Sequence, residues 1–274
     1  MAPRGRGITS NPAGRFERLQ YVADRETLES DRLDAETDPD GSASQIPTLY
    51  LRDPSRSAIS TNDSPDIGFA ASLNPYRGCL HACAYCYARP THEYLGFSAG
   101  LDFETRILVK EQLPQLLRKE LCAKRWQPQV IAMSGVTDAY QPIEHELGLS
   151  RRCLQVLAEF RNPVSVITKN ALVARDADLL AELAAVDAAS ANLSITTLDP
   201  KLARALEPRA SQPHQRLLAI EKLAHAGIPV GVMIAPVIPG LNDHEIPAIL
   251  AAAREAGATS AGLIMLRLPY GLKE

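Results

Sequence analysis

Three thiols stand within eight residues of this chain, in the run Asn74-Pro-Tyr-Arg-Gly-Cys79-Leu-His-Ala-Cys83-Ala-Tyr-Cys86-Tyr87. An extended chain advances at most about 3.3–3.6 Å per residue, so a loop built on Gly78, Ala82 and Ala84 can turn all three sulfurs inward. Three thiolates without an adjacent fourth make an odd set for structural zinc, which takes four protein ligands. They suit a cubane iron–sulfur cluster with one iron left free to bind something else, because Cys thiolates hold such clusters. Zinc with His81 or His92 as fourth ligand is the competing reading, although zinc usually uses paired Cys-x2-Cys or wider Cys/His spacings. Disulfides fit poorly with five cysteines and no secretory signal.

The elements that must hold this loop follow from residue 67 onward, where short apolar runs alternate with helical patterns. Strands are expected at 68–73, leading into the cysteine loop, and at 130–133, 164–167, 193–196, 230–234 and 261–266. Between them, Leu113, Leu116, Leu117 and Leu121 recur at helical spacing. Ser150 is expected to cap a helix whose Cys153, Leu154, Leu157 and Phe160 share a face. Further helices run through Leu179, Leu180 and Leu183, over 213–225 to a stop at Gly227, and from an Asn242/Glu245 capping box to Glu255. Six strand–helix units imply a parallel sheet covered by helices, too few for the eight that close a full barrel. The expected fold is α/β, an open (β/α)6 partial TIM barrel. In such folds ligands bind at the carboxyl ends of the strands.

Cys-x3-Cys-x-aromatic-Cys after a first strand resembles the signature of radical S-adenosylmethionine (SAM) enzymes. Tyr85-Cys86-Tyr87 resembles the spore photoproduct lyase branch, and the resemblance extends over roughly residues 67–266. It implies a [4Fe–4S] cluster on Cys79, Cys83 and Cys86, with SAM chelating the fourth iron. It further implies one-electron cleavage of SAM to a 5′-deoxyadenosyl radical that takes hydrogen from a substrate. A flavodoxin- or ferredoxin-type electron donor and, by analogy, a nucleic-acid substrate for repair or modification are implied too.

The strand ends then acquire roles. Ser134-Gly-Val-Thr-Asp138 occupies the place of the family's Gly-Gly-Glu, which receives the methionyl ammonium. Gly135 permits close backbone approach, and Thr137 or Asp138 can accept from the ammonium; a plain turn capped by Asp138 is the alternative. Lys169, in the Thr-Lys that the lyase branch also carries, is assigned to the methionyl carboxylate. Ser194 and Thr196 share a strand face, either toward the ribose or the amino group, or as satisfied core hydroxyls. Ile238 is assigned to an adenine shelf and Tyr85 to the adenine's neighbourhood. Glu207, Arg209 and Arg216 either line the substrate side or pair with each other. Where the lyases keep a cysteine hydrogen donor, Met133 and Ser134 stand, and Tyr140 substitutes only if it faces the cavity.

The chain has 274 residues, 46% of them hydrophobic, and a net charge of −3, enough for a good core and without the basic excess of many nucleic-acid binders. No apolar run reaches the roughly 18–20 residues of a membrane span, and no signal-peptide h-region opens the chain, so a cytoplasmic setting is expected. Residues 1–66 read as a mostly flexible extension, basic at Arg4, Arg6, Arg15 and Arg18 and acidic over 29–40, with 46–51 as one piece able to dock as a strand. A basic arm that touches nucleic acid is the alternative there. Residues 67–274 form the core, whose sixth strand has no helix after it, so a covering segment is expected beyond Glu274. The rival to an enzyme is a non-enzymatic iron–sulfur or zinc module that uses the loop for structure or partner binding.

Overall fold

The computed structural model describes residues 6–7, 47–63 and 68–269. Arg4, Arg15, Arg18, Ile46 and the acidic stretch 29–40 lie outside the described residues.

Among the described residues, ten strands form two sheets. The strands are β1 (Leu49–Arg52), β2 (Ile59–Thr61), β3 (Ala71–Leu73), β4 (Tyr76–Arg77), β5 (Arg106–Val109), β6 (Ile131–Met133), β7 (Val164–Thr168), β8 (Ala189–Ser194), β9 (Val230–Val237) and β10 (Ser260–Met265). The main sheet runs β10-β9-β8-β7-β6-β3-β2. Its members from β3 to β10 pair in parallel, and β2 closes one flank antiparallel to β3. Six parallel strands joined by helices are the partial barrel that the alternating pattern predicts. Parallel strands covered by helices read as apolar runs, and accordingly Ile131, Met133, Val164, Val166, Ala191, Leu193, Val230 and Ile234 are buried.

A second sheet, β1-β5-β4, sits beside the cysteine loop. Within the segment expected to dock as a strand, Leu49–Arg52 pairs in parallel with Arg106–Val109. The short strands β2, β4 and β5 carry too few residues for a periodicity signal. β2 is held by a side chain: the Glu120 carboxylate accepts from the backbone N–H of Ala58 at 2.7 Å and of Ile59 at 3.0 Å.

Three expected local features differ. Ser150 lies inside the helix Leu149–Phe160 rather than capping it; Gly148 stands at the cap, and Glu144 accepts from the Ser150 N–H at 3.0 Å. Asn242 and Glu245 form no capping box, because their side chains are drawn elsewhere: Asn242 Nδ2 donates to the Thr196 and Pro236 carbonyls, and Glu245 accepts from Thr197 and Leu198. The fourth parallel strand spans Ala189–Ser194, earlier than 193–196, since its small residues Ala189 and Ala191 mask its start. The helix Pro213–His225 stands where expected. Among the described residues no helix is long and apolar enough to cross a membrane.

Candidate active site

The cysteine loop leaves β3 and is wound by its own backbone. Cys79 N–H donates to the Phe103 carbonyl at 2.9 Å, Ala82 N–H to Cys79 at 3.3 Å and Cys86 N–H to Cys83 at 3.3 Å. Gly78 has φ of 78°, and a Cβ there would sit 2.8 Å from the Phe103 carbonyl oxygen, so only glycine fits this turn. From the end of β6, Thr137 Oγ1 donates to the Gly78 carbonyl at 2.7 Å, and Gln141 Oε1 accepts from Leu80 N–H at 2.9 Å. Beneath the loop, wholly buried Arg89 donates from Nε and Nη2 to the Cys83 carbonyl at 3.2 and 3.1 Å and lies 3.6 Å from the Glu104 carboxylate.

Cys79 and Cys83 are buried and Cys86 partly so. The thiols sense one another: burial first, and then neighbouring groups including Cys79 and Cys86, push the Cys83 thiol well up. Burial also acts to raise Cys79, but the His81 charge and hydrogen bond outweigh it and bring that thiol below its ordinary value. His81 Nδ1 lies 3.3 Å from Asp138 Oδ2. Burial disfavours the imidazolium, yet the Asp138 carboxylate and the Cys79 sulfur hold the His81 pKa well above the usual histidine range. Among the described residues no three His, Cys, Asp or Glu side chains are gathered around one ion-sized point. His81 Nδ1 faces Asp138, and His92 Nε2 donates to the Arg106 carbonyl at 2.9 Å, while His92 Nδ1 is buried without a hydrogen-bond partner.

His92 is buried, and burial depresses its pKa from 6.5 to about 4, the bond to Arg106 opposing the shift. A base with a lowered folded pKa leaves the unfolded chain holding more protons, so stability falls as pH drops from 6.5 toward 4. This imidazole should remove roughly 3 kcal/mol over that window. Urea unfolding of the cluster-free protein is expected to show that loss in wild type and not in His92→Gln; parallel pH profiles would refute it.

At the strand ends the expected residues divide. Asp138 Oδ1 accepts from Thr168 Oγ1 at 2.7 Å and Tyr140 N–H at 2.9 Å, and its Oδ2 from Lys169 N–H at 2.8 Å, besides facing His81. These bonds tie β7 to the cysteine loop. Thr137 Oγ1 donates to the Gly78 carbonyl. Thr196, fully buried, donates to Glu207 Oε1 at 2.6 Å. Gly135 has φ of 115°, and its carbonyl accepts from Tyr87 OH at 2.5 Å, bridging the second strand end to the cysteine loop. Lys169, half-buried after β7, holds Nζ 5.8 Å from the centre of the Tyr85 ring. Ser194 is buried, its carbonyl accepting from Arg216 Nη1 at 2.8 Å, and Ile238 is half-buried after β9. Tyr140 does not face a cavity; it is buried with OH donating to Asp176 at 3.1 Å.

The residues between β8 and the helix Pro213–His225 resolve into a pair. Glu207 and Arg216, each 1% exposed at the side chain, form a buried ion pair, and the Glu207 carboxylate also accepts from Tyr85 OH. Burial alone would raise the Glu207 pKa, but Arg216 first, then Lys169, Thr196 and Tyr85, bring it below its ordinary value. The same segment clips the loop by backbone: Ala84 N–H donates to Leu206 at 3.0 Å and Arg209 N–H to His81 at 3.3 Å.

Three cysteines and an aromatic in a loop after the first parallel strand, with a lysine at the end of β7, describe a class. The sequence profile of the Radical SAM superfamily matches residues 73–253, and the chain belongs to that superfamily. Membership implies SAM and an iron–sulfur cluster as the cofactors. Relatives include an uncharacterised protein of Mycobacterium tuberculosis, 39% identical over 202 residues that cover 73% of this chain and 59% of that protein. An uncharacterised protein of Methanocaldococcus jannaschii is 33% identical over 173 residues, 63% of this chain and 62% of that protein. The chain thus spans less than two thirds of the length of these relatives. A spore photoproduct lyase variant with bound AdoMet and dinucleoside spore photoproduct shares the fold, with TM-score 0.63 at 17% identity over 93% of this chain and 70% of that one.

Proposed function

We propose that Cys79, Cys83 and Cys86 hold three irons of a [4Fe–4S] cluster whose fourth iron takes SAM. The observation that carries this is the backbone-wound loop after β3 that holds Cys79 and Cys83 buried and Cys86 half-buried within one turn-rich stretch, with His81 and Lys169 beside it. The thiols need not converge on one ion-sized point, because each would take a different iron of a larger cluster. When bound, these cofactors supply a one-electron cleavage that yields a 5′-deoxyadenosyl radical for hydrogen abstraction.

This chain's own residues do the positioning. Lys169 presents its ammonium to the methionyl carboxylate from the end of β7. Gly135 offers backbone at the end of β6, while Tyr85, Ile238 and Ser194 line the nucleoside side. The Glu207–Arg216 pair fixes Tyr85, and with it the stretch between Cys83 and Cys86. The electron donor is proposed to be a flavodoxin or ferredoxin, and the substrate a nucleic acid, by analogy with the dinucleoside-bound fold neighbour.

Anaerobic reconstitution followed by dithionite reduction tests the reading: brown protein that converts SAM to 5′-deoxyadenosine is expected. Tight stoichiometric zinc without SAM turnover would replace it with a metal-binding module. Loss of the carboxylate contact in Lys169→Ala is expected to weaken SAM binding by about 1.5–3 kcal/mol, roughly ten- to a hundredfold, with iron content unchanged. Calorimetric titration of the reconstituted protein checks this; equal affinity removes Lys169 from the site.

A further inference from the structure

Far from the loop in sequence, Arg6 and Gly7 are packed directly against it. Their backbone N–H groups grip the two oxygens of one buried carboxylate, Arg6 to Glu104 Oε1 at 2.9 Å and Gly7 to Oε2 at 3.2 Å. The Arg6 guanidinium adds bonds to the Glu104 carbonyl and to Thr48 Oγ1, each at 3.0 Å. Glu104 in turn faces Arg89, and Arg89 holds the carbonyl of Cys83. Gly7 also meets the loop itself: a Cβ there would fall 1.5 Å from the Ala82 carbonyl oxygen and 3.3 Å from the Ala84 nitrogen. Ala82 is held at φ of 55°, a left-handed conformation that a non-glycine residue keeps only when its surroundings impose it.

The segment read from composition as a solvated basic tail therefore reaches the middle cysteine by two routes, one through backbone contact and one through Glu104 and Arg89. We propose that Arg6 and Gly7 are positioning residues of the iron–sulfur site, a clasp that holds the Ala82–Cys83 turn in the shape that receives the cluster. Gly7 serves because backbone lies where any side chain would go. Glu104 serves because one carboxylate links the clasp to the arginine under Cys83. Support of this kind around ligands sets how well a metal site is retained. The inference rests on the cluster reading above, and its test is chosen to fail separately from it.

The full chain, reduced and cluster-free, is alkylated with iodoacetamide, and the rate at each cysteine is followed by peptide mass spectrometry. In Gly7→Val, Cys83 and Cys79 are expected to react about tenfold faster than in wild type, as local opening without global unfolding predicts. Exposed Cys122 is the reference for reagent reactivity, and buried Cys153 reports that the core is intact. Should Gly7→Val also deprotect Cys153, Arg6→Ala decides by the same comparison. It removes the guanidinium bonds and leaves the backbone in place. After reconstitution, the clasp variants are expected to lose their cluster absorbance in air several times faster than wild type. Unchanged alkylation of the loop cysteines with Cys153 protected, or unchanged bleaching in air, overturns the clasp. A wild-type protein that takes up no iron overturns the cluster reading instead, and the alkylation rates still judge whether the pair shields the loop.

Discussion

Cys83→Ala is expected to leave anaerobic iron–sulfide reconstitution colourless, with iron below about a tenth of the wild-type content. Cys83 is the middle thiol of the three, buried beneath the Ala82 turn, with its carbonyl anchored by Arg89. Removing it leaves two thiols where the proposed cluster takes three. Cys153→Ala is the control: that thiol lies in the hydrophobic core, so its loss should cost stability and spare iron. Iron and sulfide analysis with visible absorbance reads both. A brown Cys83→Ala protein would mean that this residue is no ligand.

The second large effect is expected at the Glu207–Arg216 pair. Arg216→Met should destabilise the cluster-free protein by about 3–5 kcal/mol, because Glu207 would remain charged, buried and without its cation. The guanidinium also donates to the Ser194 carbonyl at 2.8 Å and the Ser211 carbonyl at 2.7 Å, so its removal orphans acceptors on both sides of the helix Pro200–Leu206. Glu207→Gln combined with Arg216→Met should recover much of the loss, since no lone charge is then buried. Urea unfolding of the wild type, both single variants and the double variant measures the coupling. A single-variant loss under about 1 kcal/mol, or losses that simply add in the double variant, would show that the pair is not the support described.

What could be read along the chain was whatever is local. The cysteine spacing, the six apolar strands and the helix Pro213–His225 each declare themselves within a short window, and the parallel sheet bears out the strand count. The position of Lys169 after an apolar strand is equally local. What stayed hidden depends on residues that meet only after folding. Glu207 bonds Tyr85 across 122 positions, and nothing in its own neighbourhood distinguishes it from a surface glutamate. Asp138 shows in the sequence only as a residue after a strand; the Thr168, Lys169 and His81 groups that face it are brought there by folding. Arg6 and Gly7 sit in a stretch whose composition alone suggests solvent, and only the carboxylate at 104 shows why they dock.

The two flanks of the main sheet are built unequally. β2 is shut down by Glu120, whereas β10 leaves Leu263, Ile264 and Met265 about half exposed and has a neighbour only in β9 among the described residues. Cooperative structure comes apart first where few apolar contacts resist it. Among the described residues β10 is therefore the strand expected to open most readily, while the cysteine turn leaves β3 near the other flank and the lysine follows β7 at the middle of the sheet.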